Sequence, residues 1–174
     1  MVDRLILVGM MGAGKTTIGR LLAARLGWRS FDSDAQIIAD TGHSVPELFA
    51  DRGEAAFRAE EERVLTEALS GHEPVVVSAA GGVVLSPSNR DLLARSGTVV
   101  WLRADPGVLA HRVGDGEGRP LLDDDPASAL AALYEVRRPL YESVASVVVD
   151  VDACTPDEVV DQILASTGLP RRPT

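Results

Sequence analysis

Lys15 and Thr16 close the run Gly9-Met10-Met11-Gly12-Ala13-Gly14-Lys15-Thr16, a complete G-x-x-x-x-G-K-[ST] pattern. The chemistry open to such a run is the holding of polyphosphate. It follows the apolar segment Leu5-Ile6-Leu7-Val8 and precedes a helix-like segment. A strand that ends in a Gly-rich turn and feeds a helix aims several backbone N–H groups at one point, and the positive end of the helix dipole adds to that field. The nucleotide-holding stretch is therefore read as Gly12, Ala13, Gly14, Lys15, Thr16 and Thr17. Lys15 reaches the β- and γ-phosphates, and the Thr16 hydroxyl can ligate Mg²⁺. Gly9, Gly12 and Gly14 leave no Cβ in the way of a phosphate. A nucleoside triphosphate, ATP with Mg²⁺, is the expected cofactor.

Other chemistry-bearing residues are spread along the chain. Asp32 and Asp34 follow a strand-like segment two residues apart. If strand geometry persists they point to one side. One can serve Mg²⁺ and the other can accept a hydrogen bond from a substrate hydroxyl and orient it as nucleophile. Aspartate is also a common helix N-cap, so a capping role stays open. Arg58 lies within a helix and, on local sequence alone, reads as a solvated residue paired with Glu61. Gly81-Gly82 is either a plain turn or a small anion nest. Arg119 is either loose surface charge or a residue that closes on the transferring phosphoryl group. Arg137 can receive a carboxylate, and Arg112 can stack on a purine face.

Elements must carry these residues to one place. Strands are expected at Arg4–Val8, Trp28–Phe31, Val75–Ser78, Thr98–Leu102 and Val147–Val151, alternating with helices at Lys15–Leu26, Asp34–Asp40, Val45–Ala50, Gly53–Ser70, Pro87–Arg95, Asp105–Arg112, Ala127–Val136, Pro139–Val144 and Pro156–Ser166. In this reading Arg137-Arg138-Pro139 starts a helix. Val113–Asp125, rich in glycine and charge, reads as a mobile loop. Alternation from end to end implies an α/β fold, a mainly parallel sheet with helices on both faces. Ligands of such sheets sit outside the carboxyl ends of the strands, where the glycine loop, the Asp pair and Gly81-Gly82 all fall.

Composition narrows the partners. The chain has 174 residues, 45% of them apolar and 25% charged, which fits one domain spanning 1–174. A net charge of −9 argues against nucleic acid as a partner. No apolar run reaches the roughly 18 residues of a membrane span. The N-terminus enters a strand without a signal-like region, and the one cysteine, Cys154, suits a reducing compartment. A cytoplasmic monomer acting on a small molecule is expected.

The set of motifs resembles the shikimate kinase family. It comprises the glycine loop continued to Gly19, Phe31-Asp32-Ser33-Asp34, Phe57-Arg58-x-x-Glu61, Gly81-Gly82, Arg119-Pro120-Leu121-Leu122 and Arg137-x-x-Leu140-Tyr141. The motifs follow the family's order and cover nearly the whole chain. The resemblance implies a three-layer α/β/α P-loop kinase of the nucleoside monophosphate kinase type, with a five-stranded parallel sheet, a substrate segment at about 32–60 and a lid at about 113–125. It implies transfer of the γ-phosphoryl group of ATP to the 3-hydroxyl of shikimate. Asp34, Arg58, Gly81, Gly82 and Arg137 would hold shikimate. Thr16 and Asp32 would serve Mg²⁺, Arg119 would lie over the phosphates, and Arg112 would lie near adenine. Lys15, Asp34 and Arg119 would carry catalysis. Two positions depart from the family's pattern. Ala80 stands where a first glycine is usual, which would strain the chain if that position had positive φ. A second arginine near adenine is replaced at or beside Cys154. Gluconate kinase, or a nucleotide-binding module without turnover, is the alternative.

Overall fold

The structure, a computed structural model, describes residues 3–114 and 125–169. Five parallel strands form one sheet in the order β2-β3-β1-β4-β5. They are β1 (Arg4–Val8), β2 (Arg29–Asp32), β3 (Val75–Ser78), β4 (Thr98–Arg103) and β5 (Val147–Asp150). The helices are α1 (Lys15–Leu26), α2 (Ser33–Thr41), α3 (Val45–Ser70), α4 (Pro87–Ser96), α5 (Pro106–Val113), α6 (Pro126–Val144) and α7 (Pro156–Thr167). Among the described residues no helix is long and apolar enough to cross a membrane.

β1 and β3 are continuous apolar runs because both of their faces are covered. On one side α1 packs on β2 and β3 and against α7, which reaches β5; on the other α4 and α6 pack on β4. From β1 the chain winds toward β2; from β3 it crosses back to β4. That reversal opens a crevice at the carboxyl ends of β1 and β3, the usual place for a ligand in such a sheet. The core beneath it includes Leu5, Ile6, Leu7, Val76, Val77 and Trp101, all nearly inaccessible.

Two expectations need correction, on Asp34 and on Arg137. Asp34 does not continue the strand: β2 ends at Asp32 and α2 begins at Ser33, with the Asp32 side chain capping it through the Ala35 N–H at 3.1 Å. The two helices expected at 45–50 and 53–70 both form; they are taken together as α3 and meet at a kink at Gly53, whose φ of 77° and ψ of 171° are non-helical. That region of backbone space is essentially glycine's alone. Arg137 does not begin a helix either. It sits in the middle of α6, which runs through Pro139. A proline removes one helical N–H, and packing of the face bearing Leu130, Arg137, Tyr141 and Val144 overrides that local loss. Arg119 and most of the expected lid fall in 115–124, outside the described residues.

Candidate active site

A cleft of about 550 Å³ opens along the carboxyl edge of the sheet. Its walls include Gly12, Gly14, Lys15, Thr16, Thr17, Asp32, Asp34, Arg58, Gly81, Gly82, Arg112 and Arg137. The structure thus gathers every described polar residue singled out above. Ala13 lies behind the loop, 2% exposed.

The phosphate half is built by β1, its loop and α1. Gly9, Gly12 and Gly14 all have positive φ, at 146°, 82° and 95°. Gly14 is the N-cap of α1 and offers no side chain to the first-turn N–H groups, and no acidic residue sits in that turn. These amides and the dipole behind them are available to an anion. Lys15 Nζ donates to the carbonyls of Gly9 (2.8 Å) and Met10 (3.0 Å), so its charge lies across the loop. Thr16 Oγ1 donates to Asp32 Oδ2 at 2.6 Å. Asp32 thus caps α2 with one carboxylate oxygen and accepts from Thr16 with the other. Arg112 reaches from α5 to the carbonyls of Gly12 (3.4 Å) and Val151 (2.9 Å), bridging the glycine loop to the end of β5.

The acceptor half is built by α2, α3, α6 and the turn after β3. Arg58 makes the expected bond to Glu61, 2.6 Å, and a second to Glu54 at 3.0 Å. It is no solvated surface residue, because Glu61 is buried and both line the cleft. Burial pushes the Glu61 carboxyl above its ordinary range, against the pull of Arg58. Arg137 is 2% exposed, and its Nε is buried without a hydrogen-bond partner. Tyr141, one turn further along α6, donates to the Gly81 carbonyl at 2.6 Å, and its rings stack with Trp101 at 5.7 Å. Burial pushes the Tyr141 hydroxyl up to about 12, so it stays a donor.

Gly81 and Gly82 are glycines for reasons of space. Neither has positive φ. A Cβ on Gly82 would run into the Arg58 guanidinium, 2.7 Å from Cζ, and one on Gly81 would stand 3.3 Å from Arg137 Nη1. The turn lets both cations lie against its backbone. Ala80 carries none of the feared strain, since no described residue other than glycine has positive φ.

Glu61, Ser33, Ser78, Tyr141, Val45 and Phe49 also shape the site and were not singled out as site residues. Glu61 had a signal: it interrupts the apolar stripe Phe57, Val64, Leu65 and Ala68 of α3, where a charge is out of place. Arg137 interrupts Leu130, Tyr141 and Val144 in the same way. Ser33 and Ser78 had none, since small hydroxyl residues at element ends are common. Among the described residues no three His, Cys, Asp or Glu side chains cluster as a metal cage. One carboxylate and one hydroxyl fit the sparse protein ligation of a nucleotide-borne Mg²⁺.

Comparison with known proteins gives a consistent result. The family model described as "Shikimate kinase" matches residues 11–167. A shikimate kinase of Burkholderia lata is 45% identical over 163 residues, which is 93% of this chain and 88% of that protein. The solved structure of shikimate kinase from Acinetobacter baumannii in complex with shikimate superposes with a TM-score of 0.92 at 35% identity, over 98% of this chain and 97% of that one. A gluconokinase from Sinorhizobium meliloti 1021 superposes with a TM-score of 0.59 at 26% identity, over 95% and 91% of the two chains.

Proposed function

The chain belongs to the shikimate kinase family, and from that premise we propose how its residues divide the work of an ATP-dependent phosphotransferase acting on shikimate. The observation that carries the division is Arg137: a buried guanidinium with an unpartnered Nε, opening on the same cleft as the phosphate loop. A buried cation is costly unless an anion meets it. A carboxylate on the acceptor supplies that anion, and Arg58 stands on the other side of the Gly81-Gly82 turn to share it. A neutral polyol such as a sugar would bring no anion to the buried Arg137 Nε.

Phosphoryl transfer needs position and charge neutralisation more than covalent chemistry. Lys15 and the first-turn amides of α1 hold the β- and γ-phosphates of ATP. Asp34, in the first turn of α2, accepts from the 3-hydroxyl of shikimate and orients its oxygen toward the γ-phosphorus. Gly81 and Gly82 let the ring approach their backbone. Thr16 and Asp32 hold Mg²⁺, which when bound supplies charge neutralisation at the phosphates. Arg112 lies beside the adenine. Arg119, by its place in the family motif, neutralises charge on the transferring group. The protein acts as a cytoplasmic monomer in this reading, which light scattering of the purified chain checks for the monomer.

The test is ADP release with Mg²⁺, ATP and a panel of acceptors. Shikimate should be turned over, and gluconate and AMP should not. Turnover of gluconate, which also carries a carboxylate, exceeding that of shikimate would refute shikimate as the acceptor, and no turnover of any acceptor would favour a binding module.

A further inference from the structure

We infer that the Ser33 hydroxyl is a positioning group that holds the Asp34 carboxylate in register with the acceptor turn and the phosphate loop. The inference rests on the role given to Asp34 above. β2 is an edge strand, and its ladder with β3 ends at the pair Asp32↔Ser78. One residue later the chain turns into α2, so backbone pairing can no longer tie Asp34 to the sheet. The Ser33 side chain takes over that task. It is 2% exposed, donates from Oγ to the Ser78 carbonyl at 3.3 Å and accepts from the Ala80 N–H at 2.8 Å. A hydroxyl is suited to this because it donates and accepts at one atom.

Both partners lead directly into Gly81-Gly82. Ser78 also extends the connection, since its own Oγ donates to the Lys15 carbonyl at 2.9 Å. A line of short contacts therefore runs from the segment bearing Asp34, through Ser33 and Ser78, to the residue that holds the phosphates. The two halves of the cleft bring acceptor oxygen and γ-phosphorus together only if their separation is fixed, and a displacement of about 1 Å can cost ~10²-fold in rate. Removing the hydroxyl orphans the buried Ala80 N–H, so the turn shifts to find another partner.

The experiment compares Ser33→Ala, Ser33→Thr and Ser33→Cys in the full chain. For Ser33→Ala, kcat at saturating ATP and shikimate should fall at least fivefold, while the Kd for ADP with Mg²⁺, titrated directly, stays within twofold of the wild type. Ser33→Thr keeps the hydroxyl and should exceed Ser33→Ala in kcat at least threefold. If the alanine variant does not fold, Ser33→Cys takes its place, because it changes only the oxygen, to a larger sulfur that is a weak donor and acceptor; the same thresholds apply to it. A smaller fall in kcat, a nucleotide Kd that moves with kcat, or a threonine variant no better than the variant it is compared with overturns the inference. An Asp34→Asn variant of undiminished kcat would instead strike the reading on which it rests.

Discussion

Replacing Arg58 by methionine should destabilise the protein chiefly by stranding Glu61. The arginine spans Glu54 and Glu61, and its bond to Glu61, 2.6 Å, joins side chains that are 22% and 3% exposed. Removing one partner of a buried pair costs about 3–5 kcal/mol, because the other charge stays desolvated. The lower end applies here: Arg58 is partly solvated, and the charge of Arg137 still favours the ionised carboxyl. A loss of about 3 kcal/mol lowers Tm by roughly 6–12 °C in a domain of this size. The pH dependence follows from the direction of the Glu61 shift. Burial, and to a lesser degree Asp34, raise its folded pKa above the ordinary 4.5, and loss of Arg58 raises it further. The folded state then binds the proton more tightly than the unfolded chain. Stability falls as pH rises from 4.5 to the raised value, and the deficit relative to wild type shrinks as pH drops back through that window. Urea unfolding of wild type, Arg58→Met and Arg58→Met/Glu61→Gln at pH 8 and pH 5 measures this. The second substitution should recover most of the loss at pH 8 and little at pH 5. Equal instability of single and double variants at pH 8, or a deficit unchanged at pH 5, refutes the stranded-charge argument.

Gly82→Ala should displace the Arg58 guanidinium and raise KM for shikimate at least fivefold, with KM for ATP within twofold, as steady-state kinetics will show. Lys15→Ala should lower nucleotide affinity and kcat together, whereas Arg119→Ala should lower kcat more than ATP binding; titration of nucleotide beside kcat separates the two. Asp32→Asn should raise the Mg²⁺ concentration needed for half-maximal rate several-fold, because Thr16 loses its charged partner, and a Mg²⁺ titration reads it directly.

The bounds of β1, α1 and β3 were legible to the residue, because each is a period or an apolar run closed by glycine or a polar break. The glycine loop was legible because its function needs backbone conformations that few residues adopt. Arg58 and Arg137 were named for the right cleft by resemblance, but their surroundings were not. Burial of a charge is decided by which helix face meets the sheet, and the weak local signal was a charged residue within an apolar stripe. The course of α6 through Pro139 was hidden because a local breaker outweighs distant packing in any short window. Asp34 was placed on the right edge and at a helix start, one residue late; the conditional reading that strand alternation aligns it with Asp32 fails, because β2 ends at Asp32. Ser33 stood within a quoted motif, but its bonding role was not legible, since its partners lie 45 and 47 residues away.

The bend at Gly53 sets the scope for redesigning the acceptor. Val45 and Phe49 line the cleft from the part of α3 before the bend, while Phe57, Arg58 and Glu61 line it from the part after. The two groups of wall residues are joined by one residue whose Cβ, were it present, would meet nothing within 4 Å. The obstacle to any other residue there is torsional and not steric. A D-amino acid, for which positive φ is unstrained, removes that torsional obstacle. Semisynthesis with D-alanine at 53 would therefore fix the spacing of the two wall segments, while L-alanine would favour a straightened α3 and draw Val45 and Phe49 out of line with the cations. A collection of acceptor analogues screened against these two proteins would separate what the cations demand of a ligand from what the aperture admits.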